Sequence, residues 1–395
     1  MIPFAKPWLD ENEVEAAARV IRSGWVTAGP EVKAFEDEFA AYTGADHACA
    51  VSSATAALHL AMKAVGVVSQ DEVITVSHSF IATANCIRYM GAVPVFVDIE
   101  KRTYNIDPGQ IEAAITPKTR AILCVHQLGM PCNMAVIMKI ALKHGLKVVE
   151  DAAPALGSEI KWDGDWQKIG RPHSDISCFS FHGRKIVTTG DGGMLTTGNK
   201  EYDDKFRLWR THGMSMSASE RHNSDTVHFE EYLELGYNYR LTDIQAAIGR
   251  EQLKKLPQIL KKRRYLAERY NRELDPIPGL ELPLEPAGAR SNWQSYCVML
   301  PPGVDQVRVM QYMLDEGVPT RRGVQTSHLE PAYKKEPWIC GSDRDMKKSG
   351  KNGLKESENA RMRGLMLPMY AGLSESDQDV VIGVLKRALK KSQMA

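Results

Sequence analysis

The sequence of 395 residues has almost no excess charge of either sign, because 50 lysines and arginines stand against 49 aspartates and glutamates. This balance argues against a protein whose main task is to bind nucleic acid or anionic membranes. No apolar run reaches the ~20 residues that a membrane helix needs. The N-terminus turns acidic within a few residues and has no secretory pattern. We therefore expect a cytoplasmic protein with no nucleic-acid or membrane partner.

Cysteines are few, and none of them forms a C-x-x-C pair, the spacing of many zinc and redox sites. Most of the seven stand inside apolar segments, as Cys124 does, and are expected to be reduced residues of the core. The histidines also lack metal-ligand spacing, so we predict no metal site. The signatures G-x-x-x-x-G-K-[ST] and G-x-G-x-x-G after the first strand are missing, which argues against nucleotide hydrolysis and dinucleotide binding.

The first half of the chain alternates short, nearly continuous apolar runs with helical stretches. The pattern predicts strands at 48–52, 72–77, 93–99, 121–127 and 147–150, and helices at 54–65, 81–90, 108–115 and 134–144. Two further strands, 175–181 and 193–197, follow in quick succession. Apolar strands that alternate with helices are typical of a mainly parallel sheet covered on both faces, so we expect an α/β fold.

The second half has a different rhythm. Residues 242–270 are predicted to be helical to about Leu256, interrupted at Pro257 and then helical again. Prolines between 276 and 286 mark a further break. We predict a large domain at 1–255 and a smaller C-terminal α/β domain at 256–395, with a strand at 296–300, helices at 306–316 and 376–391, and a loop at 344–355.

One lysine stands where a surface lysine is unusual. Lys185 follows the apolar strand at 175–181 and precedes Thr-Thr-Gly-Asp-Gly-Gly at 188–193. Burial there would lower the pKa of its amine and favour the nucleophilic form that a pyridoxal phosphate enzyme needs for its Schiff base. Taken alone, Lys185 is better explained as a structural lysine of the loop.

Two other segments have the chemistry that such a cofactor requires. Asp151 directly follows the buried strand predicted at 147–150, at the strand end where open α/β sheets hold ligands. A carboxylate there could pair with a pyridine nitrogen. Residues 52–58, Ser-Ser-Ala-Thr-Ala-Ala-Leu, mark a strand-to-helix junction that offers free N–H groups to a phosphate. Capping of a turn or a helix is the alternative for both segments.

Along the chain, the three features follow in the order phosphate site, acid and lysine, and a known family has them in the same order. The chain resembles the DegT/DnrJ/EryC1/StrS sugar aminotransferases, pyridoxal phosphate enzymes of aminotransferase fold type I. The matching segments are Ser-Gly-Trp-Val-Thr-Ala-Gly-Pro at 23–30, Gly-Ala-Val-Pro-Val-Phe-Val-Asp at 91–98, Glu-Asp-Ala-Ala at 150–153, Ser-Phe-His-Gly-Arg-Lys at 180–185, Gly-Tyr-Asn-Tyr-Arg-Leu-Thr-Asp-Ile-Gln-Ala-Ala at 236–247 and His-Leu-Glu-Pro-Ala-Tyr at 328–333.

The resemblance implies how the cofactor is held. Lys185 would form the Schiff base and move protons, Asp151 would pair with the pyridine nitrogen, and Phe80 would stack on the ring. The phosphate would be held by three residues: Ala54, Thr55 and Ser180. Asn238 would come from a neighbouring subunit, which implies a homodimer with shared active sites.

The resemblance also implies the reaction, in which glutamate donates an amino group to a nucleotide-linked keto sugar for amino-sugar and polysaccharide biosynthesis. The sugar would be a 4-keto-6-deoxy hexose, and the segment at 180–185 has the spacing of perosamine-type synthases, which favours C4 amination on a GDP sugar. The residues expected to contact the sugar nucleotide are Lys6, Trp25, Val26, Thr27 and His328.

The chain departs from the family pattern near the cofactor. Ala54 stands where glycine is usual, Pro154 where many relatives have a glutamine that bonds the cofactor's ring hydroxyl, and Leu156 where histidine is common. Two alternatives share the fold. A sugar dehydratase would carry a histidine in place of Lys185, and a regulatory protein would have a broken site or an added DNA-binding module, neither of which the sequence shows.

Overall fold

The computed structural model describes residues 1–216, 225–227, 229–342 and 353–393, and its centre is an eight-stranded sheet. From one edge to the other, its strands are β1 (His47–Val51), β9 (Gly193–Thr197), β8 (Ile176–Ser180), β5 (Lys147–Asp151), β4 (Thr119–Val125), β2 (Glu72–Val76), β3 (Val93–Val97) and β13 (Ile339–Cys340). Strand β9 runs antiparallel to both of its neighbours, and the remaining pairs are parallel. The expected mainly parallel α/β fold is confirmed.

Helices cover both faces of this sheet. They are α1 (Glu11–Ser23), α2 (Pro30–Thr43), α3 (Ala54–Ala64), α4 (Ala82–Tyr89), α5 (Pro108–Ala114), α6 (Met134–His144), α7 (Lys200–Trp209) and α8 (Asp243–Leu274). Their starts follow from capping residues, since the side chains of Ser53 and Asn133 each accept a backbone N–H of the first turn of α3 and α6. Within the described residues, no helix is long and apolar enough to cross a membrane.

The interruption predicted at Pro257 is wrong. Helix α8 is continuous over 32 residues and includes Pro257. It is anchored along its length, because Leu253, Leu256 and Ile259 are buried in the main core and Leu266 in a second core. The free energy gained by burying these side chains outweighs the loss of the backbone hydrogen bond that proline cannot form. The domain boundary predicted near residue 256 falls inside this helix and remains a prediction.

The second core lies in the C-terminal part. It joins the end of α8 to a three-stranded antiparallel sheet and two helices. These elements are β11 (Tyr296–Met299), β12 (Arg321–Arg322), β14 (Gly364–Leu367), α9 (Gln306–Asp315) and α11 (Glu375–Gln393), and α10 (Lys355–Arg363) precedes β14. The strand at 296–300 and the helices at 306–316 and 376–391 are thus confirmed. Most of the loop predicted at 344–355 lies outside the described residues.

The N-terminal segment joins this second core. The Ile2 N–H donates to the Gly317 carbonyl at 3.0 Å, and the Met369 N–H donates to the Phe4 carbonyl at 3.2 Å. These bonds hold Phe4 and the residue after it against the C-terminal part, where they line the cavity described below.

A small hairpin was not predicted from the sequence. Strands β6 (Glu159–Trp162) and β7 (Asp165–Lys168) pair antiparallel, and β10 (Ala289–Arg290) joins β6. The turn uses Asp163 and Gly164 with φ of 51° and 94°, which is the backbone of a two-residue hairpin turn. Its strands are polar and partly exposed, so they lack the apolar run by which the other strands were found.

Candidate active site

A cavity of about 490 Å³ opens where β4, β5 and β8 end at their carboxyl sides. Its wall includes the last residues of these strands, Val125, Asp151 and Ser180, together with Phe4 from the N-terminal segment. Because open α/β sheets bind ligands at this edge, the fold itself points to the cavity as the site.

Lys185 lies in the wall of this cavity, in the irregular connection between β8 and β9. The connection is fixed by its own hydrogen bonds, since the Lys185 N–H donates to the His182 carbonyl at 2.8 Å and Thr188 Oγ1 to the Phe181 carbonyl at 2.9 Å. Burial lowers the pKa of Lys185 to about 8, although the charge of Asp151 acts in the opposite direction. At pH 7 this leaves roughly a tenth of the amine unprotonated, far more than for an exposed lysine.

Asp151 faces Lys185 from the end of β5 and is almost fully buried. Its Oδ2 accepts a hydrogen bond from Thr83 Oγ1 at 2.7 Å, and its Oδ1 accepts one from the Ala153 N–H at 3.2 Å. Burial raises the pKa of Asp151, while Thr83 and the Lys185 ammonium oppose this rise. A buried carboxylate held in this way is suited to keep a proton on a heterocyclic nitrogen.

A buried pair behind Asp151 steadies the ends of β4 and β5. His126 Nδ1 accepts the Cys132 N–H at 3.0 Å, so its proton is assigned to Nε2, which donates to Glu150 Oε2 at 2.7 Å. The backbone N–H of His126 also donates to the Asp151 carbonyl, at 3.2 Å. Both side chains are fully buried, so this contact holds the backbone on which Asp151 stands.

An anion cradle lies at the start of α3. The Ser53 side chain accepts the Ala56 N–H at 3.1 Å and its carbonyl the Ala57 N–H at 3.0 Å, which leaves the amides of Ala54 and Thr55 at the positive end of the helix. Strand β9 approaches this turn very closely, since a Cβ on Gly193 would lie 2.5 Å from the Ser53 carbonyl carbon. Only glycine therefore allows this approach.

Ala54 lies within α3 and does not have a positive φ, so the alanine at this position keeps its amide available. Ser180 ends β8, and its Oγ accepts the His182 N–H at 3.4 Å. Phe80, which precedes α4, lines the cavity with 57% of its surface exposed.

These residues fit pyridoxal phosphate. The cradle at α3 suits a phosphate, the buried Asp151 suits a pyridine nitrogen, and the low-pKa amine of Lys185 suits an aldehyde. The structure thus brings Ala54, Thr55, Phe80, Asp151, Ser180 and Lys185 around one cavity. Their individual roles remain predictions. Among the described residues, no group of three or more potential metal ligands occurs.

Other predicted residues lie outside the cavity wall. Asn238 is exposed, as are Lys6, Val26 and Thr27, and Trp25 is partly buried. His328 is buried; its Nδ1 lies 2.7 Å from Ser77 Oγ and its Nε2 3.0 Å from Glu358 Oε1. The predicted contacts of these residues with a substrate remain untested.

The departures from the family pattern take different positions. Pro154 lines the cavity, and its carbonyl accepts the Asn292 side chain at 2.8 Å. Leu156 is buried, and its carbonyl accepts the same amide at 2.9 Å. The Asn292 side chain therefore holds the backbone of both residues, of which only Pro154 lines the cavity.

Sequence reasoning missed several residues of the cavity. Ser79 and Gln127 line it, and Arg184, Arg321 and Arg322 stand at its exposed rim. Arg321 and Arg322 arrive on β12, from the C-terminal part of the chain, and the Arg321 guanidinium lies 5.8 Å from the Phe4 ring centre. Two adjacent arginines in the sequence can indicate an anion-binding surface, but nothing in the sequence around them indicated where β12 would lie.

The fold and this set of donors define a pyridoxal phosphate-dependent aminotransferase. The model of the DegT/DnrJ/EryC1/StrS aminotransferase family matches residues 7–386, so the chain belongs to that family. It is 38% identical to the spore coat polysaccharide biosynthesis protein SpsC of Bacillus subtilis, over 98% of this chain and 97% of that protein.

Solved structures agree with this assignment. The aminotransferase TlmJ from Streptoalloteichus hindustanus is 32% identical, with a TM-score of 0.88 over the full length of both chains. The protein Spr1654 from Streptococcus pneumoniae in its PLP form is 26% identical, with a TM-score of 0.87 over 99% of each chain.

Proposed function

We propose that the protein transfers an amino group from glutamate to a nucleotide-linked keto sugar, with a 4-keto-6-deoxy hexose as the expected acceptor. The observation that carries the proposal is a single cavity that has groups suited to the reaction at its inner end and positively charged groups at its mouth. Lys185 and Asp151 stand at the reacting end, and Arg184, Arg321 and Arg322 stand at the mouth.

The arginines support an anionic substrate. They bring three positive charges to the rim, of which that of Arg322 is shared with Glu330 at 3.3 Å. Among the described lining residues, the only carboxylates are Asp151 and Asp191. Guanidinium groups bind phosphates and carboxylates through paired hydrogen bonds. A diphosphate at the mouth and a keto sugar directed inward would match this distribution of charge. The relation to a protein of spore coat polysaccharide biosynthesis supports a carbohydrate as the acceptor.

Bound pyridoxal phosphate supplies an aldehyde that can accept the amino group and a ring that withdraws electrons. Lys185 would bond to the cofactor through its Nζ and, once displaced by a substrate amine, use the same atom to move a proton between carbon atoms. Its low pKa keeps part of the amine unprotonated for this task. Asp151 would hold a proton on the pyridine nitrogen through its buried carboxylate.

Donor and acceptor would use the cavity in turn. The amino group of glutamate would stay behind as 2-oxoglutarate leaves, and the keto sugar would then collect it, which predicts ping-pong kinetics. The rim arginines could serve both substrates, because a carboxylate and a phosphate make similar demands on a guanidinium.

We also propose a homodimer in which Asn238 completes the site of the neighbouring subunit. Asn238 is exposed and is not part of the cavity wall of its own chain. The nearby segment exposes large apolar side chains, with Val227 at 86%, Phe229 at 89% and Leu235 at 80%. Such a surface favours a protein partner, and a second copy is the simplest one. The cytoplasmic location remains a prediction.

The substrate assignment is tested with purified protein, glutamate and UDP-, GDP- and dTDP-linked keto sugars, with aminated products identified by mass. We expect one of the sugars to be aminated, and the GDP-linked 4-keto sugar is the first to try. Arg321→Gln should raise the KM for the nucleotide sugar roughly five- to tenfold and change kcat little.

Arg308→Gln is the matched control, because this exposed arginine lies on α9 and pairs with Asp305 at 3.5 Å away from the cavity. If amino acids and keto acids react while no sugar in the panel does, the sugar assignment is wrong. Equal KM values for the two variants would remove the role proposed for the rim.

A further inference from the structure

Two hydroxyl groups in a row lead to Asp151, one from Ser79 just before α4 and one from Thr83 in its first turn. Ser79 Oγ lies 2.7 Å from Thr83 Oγ1, and Thr83 Oγ1 lies 2.7 Å from Asp151 Oδ2. Each of these side chains is at least nine-tenths buried, and Ser79 also lines the cavity. Neither hydroxyl was predicted from the sequence to have a role in the site.

The direction of the hydrogen bonds follows from the number of protons. A hydroxyl has one proton to donate, and an ionised carboxylate can only accept. The Thr83 proton therefore goes to Asp151, so the proton between the two hydroxyls must come from Ser79. The result is a directed chain in which Ser79 donates to Thr83 and Thr83 donates to Asp151.

The backbone holds this chain in place. The Thr83 N–H donates to the Phe80 carbonyl at 3.1 Å, and the Ser79 N–H donates to the Ser77 carbonyl at 3.0 Å. The Cys86 thiol donates to the Thr83 carbonyl one turn further along α4. Thr83 is β-branched, so its χ1 angle has fewer allowed rotamers than that of an unbranched side chain.

Two hydrogen bonds hold the Asp151 carboxylate, and the one from the Thr83 hydroxyl is the shorter. The other, from the Ala153 N–H, is 3.2 Å long and leaves the rotation of the carboxylate less restricted. Hydrogen bonds to a charged acceptor are about twice as strong as neutral ones. We propose that Ser79 and Thr83 form a hydroxyl chain that positions the Asp151 carboxylate toward the pyridine nitrogen of the cofactor.

Thr83 is thus a positioning residue, which acts through Asp151 and touches no substrate. The inference rests on the cofactor and on the transamination proposed above, and it does not depend on which sugar is aminated. It predicts that removal of the Thr83 hydroxyl weakens the retention of pyridoxal phosphate and changes the visible spectrum of the bound cofactor, because the pyridine nitrogen loses part of its proton.

The test compares Thr83→Val with Thr75→Val. Thr75 is a matched control, since it is also fully buried and donates a 2.7 Å hydrogen bond, but to the neutral Leu123 carbonyl in the sheet and away from the cavity. Apoprotein of each variant is titrated with pyridoxal phosphate, and the visible spectrum and kinetics are recorded with glutamate. Thr83→Val should raise the dissociation constant of pyridoxal phosphate about tenfold. It should also lower the maximal rate of the half-reaction with glutamate, without a matching change in the glutamate concentration that gives half of that rate.

Two further variants keep the inference testable if Thr83→Val does not fold. Thr83→Ser keeps the donor and should restore affinity and spectrum. Ser79→Ala removes only the outer donor and should weaken binding by a few fold. If Thr83→Val, or Ser79→Ala in its place, binds pyridoxal phosphate as Thr75→Val does and with the same spectrum, the inference is overturned. Weak binding or an altered spectrum in Thr83→Ser, which keeps the hydroxyl donor, would overturn it as well. Because the titration contains no sugar, failure of the sugar assignment would leave this result intact.

Discussion

Gly193 offers a direct test of the cradle at the start of α3. It lies in β9 opposite Val51 and Ser180, with an ordinary backbone conformation, so alanine would cause no backbone strain. The added Cβ would lie 2.5 Å from the Ser53 carbonyl carbon and 2.7 Å from the Ala54 nitrogen. Atoms in contact are normally ~3.5 Å apart, so the turn would have to retreat by about 1 Å.

The expected loss follows from this displacement. An amide that moves about 1 Å away from a phosphate oxygen passes beyond hydrogen-bonding distance. One charge-assisted hydrogen bond is worth about 1.5–3 kcal/mol, which corresponds to roughly 10- to 100-fold in the dissociation constant of pyridoxal phosphate. The overpacking should also lower the free energy of unfolding of the apoprotein by about 1–3 kcal/mol.

The assay is a fluorescence or absorbance titration of apoprotein with pyridoxal phosphate, alongside urea unfolding. Gly288→Ala is the control, because nothing lies within 4 Å of the Cβ that it would add. If Gly193→Ala binds the cofactor within about threefold of Gly288→Ala, the head of α3 does not hold the phosphate and the cradle is misassigned.

Three other predictions follow from single contacts. Because the pKa of Lys185 is lowered to about 8, the rate at which apoprotein captures pyridoxal phosphate should rise with pH around a midpoint near 8, whereas a midpoint above 10 would contradict the burial of the amine. Mixed and reassociated Lys185→Ala and Asn238→Ala dimers should regain about a quarter of wild-type activity, since half would be hybrids with one intact site, and no recovery would place Asn238 in its own subunit's site. Glu36 is fully buried, accepts the Ala50 N–H at 2.8 Å and pairs with two arginines, so Glu36→Ala should lower the free energy of unfolding by about 3–5 kcal/mol. The control Asp37→Asn, at an exposed ion pair, should change the free energy of unfolding by under about 1 kcal/mol. Equal effects of the two variants in urea unfolding would contradict this prediction.

Local patterns in the sequence were sufficient for much of the fold. Apolar runs located seven of the eight strands of the large sheet to within a few residues, and α6 and β9 have the predicted bounds. The two-residue strand β13 was not predicted. The polar hairpin β6–β7 escaped detection because its strands are short and partly exposed. Pro257 misled the prediction because local propensity cannot anticipate the burial on both sides of it in α8.

The site divides in the same way. Lys185 and Asp151 were found because each follows an apolar strand, which is a local signal. Thr83 was missed because its partner Asp151 is 68 residues further along the chain, and the hydrogen bond depends on how α4 packs beside β5. Arg321 was missed because β12 reaches the cavity only through the packing of the C-terminal part on the large sheet.

The central claim is that the Lys185 amine bonds to the cofactor aldehyde. Reduction of the holoprotein with borohydride, followed by digestion and mass analysis, locates the lysine that bears the cofactor. The account predicts a yellow protein whose colour bleaches on reduction, with the added mass on the peptide that contains Lys185 and none in Lys185→Ala. A protein that stays colourless with added pyridoxal phosphate, or a cofactor fixed to a different lysine, would contradict it.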